Sequence, residues 1–131
     1  LPPRAGKPYQ TRVPAVDEDG NEIAGVFMPD AAVPLGTHVG WNQRAPKFGA
    51  AGMLGRWVGA SWPFPVTPEQ RQRDNDPRRS VLERYATKEE YVAKVKTAAE
   101  QLLRERFLLE EDVERVVKKA GELSLWDASR K

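Results

Sequence analysis

The chain has 131 residues, a formal net charge of +2 from 21 basic and 19 acidic residues, and no cysteine. Its length fits one domain with a modest core, and its nearly balanced charges do not predict a nucleic-acid-binding surface. The absence of cysteine excludes disulfides, thiol nucleophiles and thiolate metal sites, and no apolar run reaches the roughly 18 residues of a membrane-spanning helix.

The first eight residues hold three prolines and a glycine, and they predict an extended linker over residues 1–8. They show neither the apolar core of a signal peptide nor an initiating methionine. We therefore expect a soluble protein without a targeting segment in this chain, of unassigned compartment, and we interpret the chain as a piece of a longer polypeptide.

The next segment predicts a β-hairpin. Residues typical of strands run from Tyr9 to Val16, although Pro14 favours an edge or irregular strand. Asp19-Gly20 is a hairpin-turn signal, and Ile23–Phe27 would form the returning strand. The acidic turn could suggest a calcium loop, but its ligand spacing is irregular and it lacks the terminal bidentate glutamate. A hairpin tip is therefore favoured.

Six glycines interrupt the stretch from Pro29 to Gly59, and they predict an irregular region. Large aromatic side chains run through it and just past it. Because flexible backbone cannot enclose so many rings, we expect an exposed apolar flank that a missing neighbour covers. Residues 9–66 are assigned to the hairpin and this glycine-rich region. The aromatic residues are Trp41, Phe48, Trp57, Trp62 and Phe64.

Helical signals dominate residues 67–131, which we expect to pack on the same domain. Thr67-Pro68-Glu69 is a helix start, and Ser80 is placed to cap a short turn. Thr87 then opens the longest predicted helix, about Lys88–Arg106.

The acids of residues 110–112 suit the start of a second helix that ends near Gly121. The two long helices predict an antiparallel hairpin, and Trp126 could dock the tail. The predicted fold class is α+β.

Two residues are candidates for catalysis. Gly59-Ala-Ser-Trp-Pro63 is the nearest match to the Gly-x-Ser-x-Gly turn of serine hydrolases, but proline replaces the second glycine. We therefore favour a turn or capping role for Ser61 over that of a nucleophile. His38 is the only histidine and could act as a base, but a structural or pocket-lining role is favoured. A single histidine also disfavours histidine-based metal sites, and we expect no metal or cofactor.

Two further patterns are weak. The arginines between Arg71 and Arg84 could form a phosphate-binding patch, but acids interleave with them, so a solvated or docking face is favoured. The glycines from Gly49 to Gly55 have the wrong spacing for a phosphate loop and no lysine follows them. We expect neither nucleic acid nor membrane as a partner.

Several short motifs follow one another in a fixed order along the chain. They are VPAVD at 13–17, DGNEIAGV at 19–26, AVPLGTHVGWN at 32–42, SWPF at 61–64, DPRRSVLERY at 76–85 and FLLEEDV at 107–113. Together they resemble the C-terminal end of large, mostly bacterial proteins that contain an alpha/beta hydrolase domain, and the resemblance covers about Lys7 to Ala120.

The resemblance implies a longer parent with a serine-hydrolase core upstream of this chain. The parent would be an esterase-like hydrolase. Its nucleophile would lie before Leu1, so this chain alone would be inactive. Many relatives have tyrosine at the position of His38, which argues against a required base. Thr37, His38, Trp41 and Asn42 are candidates to face the substrate pocket or to brace the core.

Two functions remain open. The first is a C-terminal hydrolase segment that supplies scaffold and pocket wall, with the upstream core or another chain of the same protein as partner, or a homo-oligomer. The second is a non-enzymatic interaction module that uses the helical hairpin for docking.

Overall fold

The computed structural model describes residues 4, 6–7, 10–55 and 58–130, with side chains described as far as residue 127. Within these ranges, short helices and strands precede two longer helices, which confirms the α+β class. No helix in the described part of the chain is long and apolar enough to cross a bilayer. In chain order the elements are α1 (Pro29–Ala32), β1 (Gly36–Val39), β2 (Asn42–Gln43), β3 (Leu54–Gly55), β4 (Ala60–Pro63), α2 (Pro68–Arg73), α3 (Val81–Arg84), α4 (Lys88–Arg104) and α5 (Glu110–Gly121).

The predicted N-terminal hairpin is present as a tight turn with one antiparallel bridge, between Val16 and Glu22. Oδ1 of Asp17 accepts hydrogen bonds from the backbone N–H groups of Asp19 and Asn21, so the acidic stretch builds its own turn. The flanking apolar side chains Val16 and Ile23 are exposed. Longer strands do not form because the residues on both sides of the turn, 10–18 and 23–28, are exposed. Tyr9, the predicted first strand residue, lies outside the described residues.

The glycine-rich region is more regular than expected. β1 pairs antiparallel with β4, from Gly36 opposite Pro63 to Val39 opposite Ala60. β2 and β3, which lie between β1 and β4 in the chain, pair antiparallel with each other. Glycine makes this pairing possible, because a Cβ atom on Gly36 would lie 2.7 Å from the carbonyl oxygen of Trp62. Glycines such as Gly36, which argued against strands in the sequence, therefore allow the close approach of β1 and β4.

The predicted helix starts are confirmed. Thr67 caps α2 and Thr87 caps α4, each through a hydrogen bond from a backbone N–H three residues later. Ser80 and Glu83 form a reciprocal capping box on α3. α4 ends at Arg104 and not at Arg106, because Arg106 adopts a left-handed conformation with φ of 67°. α4 and α5 pack together as the predicted helical hairpin.

The core lies between the helical hairpin and the β1–β4 ladder. Trp126 docks the tail as predicted: its indole N–H donates to the carbonyl oxygen of Tyr85 at 2.9 Å, and its ring lies 5.2 Å from that of Tyr91. These rings join one cluster of buried apolar side chains. Its members are Val33, Phe64, Val81, Tyr85, Tyr91, Val95, Ala120 and Trp126.

The aromatic residues of the glycine-rich region divide into two groups. Phe64 is buried in the core and Trp41 is half-buried. Phe48 and Trp62 are exposed at 66% and 50%, as the predicted apolar flank requires. Trp57 lies outside the described residues.

Candidate functional site

The two catalytic candidates meet across the β1–β4 ladder. His38 and Ser61 are 23 residues apart in sequence but stand directly opposite each other in the strand register. Nδ1 of His38 lies 2.9 Å from Oγ of Ser61, and both side chains are exposed. The pair therefore has the distance of a nucleophile and its base.

Its surroundings differ from those of a hydrolase nucleophile. Ser61 lies within an antiparallel strand, whereas the hydrolase serine stands on a sharp turn between a strand and a helix. Among the described residues, no carboxylate is hydrogen-bonded to the His38 ring. Cross-strand polar pairs commonly stabilise ladders of this kind. As it stands, the pair is a cross-strand hydrogen bond on an exposed face.

Thr37 braces the N-terminal turn against the ladder. The side chain is buried, and its hydroxyl donates to the backbone carbonyl of Asp19. The same oxygen accepts a hydrogen bond of 2.8 Å from Nη1 of Arg78. Because its donor and acceptor are both used within the protein, Thr37 joins the N-terminal turn to the ladder.

Arg78 extends this hydrogen-bond network from Thr37 to β4. Its guanidinium donates to the carbonyl oxygens of Trp62 and Pro63, and it pairs with Asp76 at 2.6 Å. The hydrogen bond raises the pKa of Arg78 and lowers that of the Asp76 carboxyl. The prediction of a solvated or docking arginine face is therefore wrong for Arg78 and Arg84, which are mostly buried and hold carboxylates. The acids interleaved with these arginines were the available signal for internal ion pairs.

Trp41 and Asn42 lie beyond the end of β1. The indole Nε1 of Trp41 is buried and has no hydrogen-bond partner among the described residues. Asn42 is exposed, and its Oδ1 accepts from the backbone N–H of Gln43 at 2.8 Å. Asn42 thus supports local backbone, while Trp41 keeps an unused donor.

The N-terminal turn clamps the backbone of β1 beside His38. Oδ1 of Asn21 accepts from the His38 N–H at 2.7 Å, and its Nδ2 donates to the carbonyl of Gly36 at 3.2 Å. Glu22 accepts from the N–H of Gly40. Sequence reasoning missed Asn21 because its partners are distant in the chain. A groove of about 350 Å³ runs between this turn and β1, with Val26 and His38 in its walls.

The fold and this site define an α+β unit in which a small antiparallel ladder is braced by buried arginines and closed by a helical hairpin. Residues 2–118 match the alpha/beta hydrolase domain family, and the chain belongs to that family. No curated protein and no solved structure matches it significantly.

Proposed function

We propose that this chain is the C-terminal segment of a larger serine-hydrolase- or esterase-like protein, that it supplies scaffold and pocket wall, and that the nucleophile lies outside it. Family membership supports the hydrolase assignment. The observation that carries the proposal is the position of Ser61 within an antiparallel strand, opposite His38. A serine held there lacks the strand-to-helix turn that exposes a hydrolase nucleophile next to its oxyanion hole.

Exposed apolar side chains around the ladder support the segment role. Monomeric soluble proteins rarely expose large contiguous apolar patches, and such patches commonly mark an interface. We assign this surface to contact with the upstream hydrolase core or with another chain of the same protein, including a homo-oligomer. The side chains are Phe48, Met53, Val58 and Trp62, each at least half exposed.

The pocket wall would be the exposed face of the ladder that carries His38. The groove beside it is lined by polar groups of Asn21 and Glu22 and by the apolar side chains of Val26 and Phe27. Such mixed walls suit an ester, which has apolar substituents around a polar centre. Trp41 and Asn42 would lie just beyond the end of β1.

The polypeptide encoded before Leu1 tests this proposal. We expect an apolar β-run followed by a Gly-x-Ser-x-Gly turn. Replacing that serine by alanine in the longer protein should abolish turnover of a p-nitrophenyl ester, whereas Ser61→Ala should leave turnover unchanged. Turnover by residues 1–131 alone that disappears in Ser61→Ala would overturn the proposal.

A second function is favoured by the tip of the helical hairpin. Phe107 and Leu109 are 57% and 63% exposed there, as in a surface that docks on a partner. A stand-alone interaction module should unfold cooperatively without aggregating. A hydrolase segment should instead aggregate through its uncovered flank. Urea unfolding combined with light scattering on residues 1–131 separates the two.

A further inference from the structure

A cavity of about 220 Å³ lies between β1 and the helical hairpin. An apolar cavity of about 150 Å³ can hold benzene. There is thus room here for one six-membered ring with a small substituent. The walls are mostly apolar: Leu35, Val95, Val116, Ala120 and Leu123.

Tyr91 brings a polar group to this cavity. The residue is 4% exposed, lines the cavity, and its hydroxyl makes no hydrogen bond to any described residue. Its neighbour Tyr85 differs, because the Tyr85 hydroxyl donates to the carbonyl of Pro34 at 3.1 Å. The Tyr91 hydroxyl oxygen is not fully shielded from solvent and can both donate and accept a hydrogen bond. The Tyr91 hydroxyl is therefore available to a guest in the cavity.

The electrostatics favour a neutral guest. Burial, aided by the charge of Asp30, raises the pKa of Tyr91 to about 12, so the hydroxyl stays protonated at neutral pH. Exposed side chains at the edge of the cavity include Asp30 and Lys119, which carry opposite charges. Neither an anion nor a cation would thus find an unopposed counter-charge.

We propose that this cavity binds a small neutral molecule with one aromatic or cycloaliphatic ring and one hydroxyl, held by the apolar walls and by a hydrogen bond to the Tyr91 hydroxyl. His38 also lines the cavity, so the site adjoins the His38–Ser61 hydrogen bond. The proposal does not depend on the proposed hydrolase role. Phenol is the simplest probe, and toluene is its match without a hydroxyl.

NMR titration of residues 1–131 with phenol and with toluene tests the proposal. In Tyr91→Phe the phenol-to-toluene affinity ratio should fall about three- to tenfold, the loss of one neutral hydrogen bond. The affinity for toluene itself should change little. Tyr85→Phe is the matched control, since it removes a buried hydroxyl that does not line the cavity, and it should leave the ratio unchanged.

Val116→Phe provides an independent check because it places a larger side chain in the wall. It should weaken phenol and toluene together. An unchanged ratio in Tyr91→Phe would overturn the proposal. So would the absence of phenol binding, or shifts confined to residues away from the cavity.

Discussion

The guanidinium of Arg84 binds both carboxylate oxygens of Asp19, a residue 65 positions earlier in the chain. The two side chains are only 13% and 9% exposed, and Arg84 also lies over the ring of Phe64 at 4.2 Å. The pair fastens the N-terminal turn to α3 and to the core. This contact explains why Asp19 and Asn21 are buried within a stretch that reads as a polar surface turn.

Breaking this pair from one side should be costly. Asp19→Asn leaves the Arg84 guanidinium mostly buried without its counter-charge, so we expect the free energy of unfolding to fall by about 3 kcal/mol. Urea unfolding measures the change. Arg73→Ala is the control, because its pair with Asp74 is mostly exposed and its loss should cost about 0.5 kcal/mol or less. Equal effects of the two substitutions would contradict a stabilising role for the buried pair.

Asp76 should make stability depend on pH. Hydrogen bonds from Arg78 hold the pKa of its carboxyl below the usual value of 3.8. Such a group contributes stability that is complete above that value and is lost as pH falls through the lower folded-state pKa. Asp76→Asn should therefore lower the free energy of unfolding at neutral pH and flatten its decline below about pH 4. Urea unfolding at a series of pH values across this range measures the pH dependence. If the free energies of unfolding of mutant and wild type changed in parallel with pH, the prediction would be refuted.

Gly36 should tolerate no side chain. In Gly36→Ala the new Cβ would lie 2.7 Å from the carbonyl oxygen of Trp62, so the ladder must shift, at a cost of about 2 kcal/mol. Gly121→Ala is the opposite case, since its Cβ meets nothing within 4 Å in the last position of α5. It should stabilise by up to about 1 kcal/mol. The midpoint temperature of thermal unfolding should fall in Gly36→Ala and rise in Gly121→Ala. An unchanged midpoint in Gly36→Ala would mean that the strands are less closely paired.

Trp126 should hold the tail through its ring and its N–H group separately. Trp126→Phe keeps a ring beside Tyr91 but removes the hydrogen bond to the carbonyl of Tyr85, with an expected loss of about 1 kcal/mol. Trp126→Ala also removes the ring and should cost about 3–5 kcal/mol. Urea unfolding gives both values. A small effect of the alanine substitution would show that the tail does not stabilise the core.

The helical half of this protein was predictable because its signals are local. Caps such as Thr67, Ser80 and Thr87 act on backbone groups within four residues, and the apolar stripe of α4 repeats along one helix. The capping residues and the helical hairpin could therefore be identified without knowledge of the rest of the chain.

The candidate site was only partly predictable. His38 and Ser61 were each identified as chemically capable residues, but their contact follows from the register of β1 and β4. That register depends on glycines whose spacing carries no strand signal. The roles of Arg78 and Asn21 were missed for a related reason, since their hydrogen bonds reach residues 15 to 41 positions away.

By itself, the sequence determined the helices α2 to α5, the α+β class and the family resemblance, since each rests on short segments or on their order along the chain. The short helix α1 was not predicted. Tertiary structure alone decided which charged groups are internal, which serine meets the histidine, and which tyrosine lines the cavity beside the helical hairpin. Those outcomes depend on distances between residues far apart in sequence, and such distances are set by how the ladder, the turn and the helices pack together.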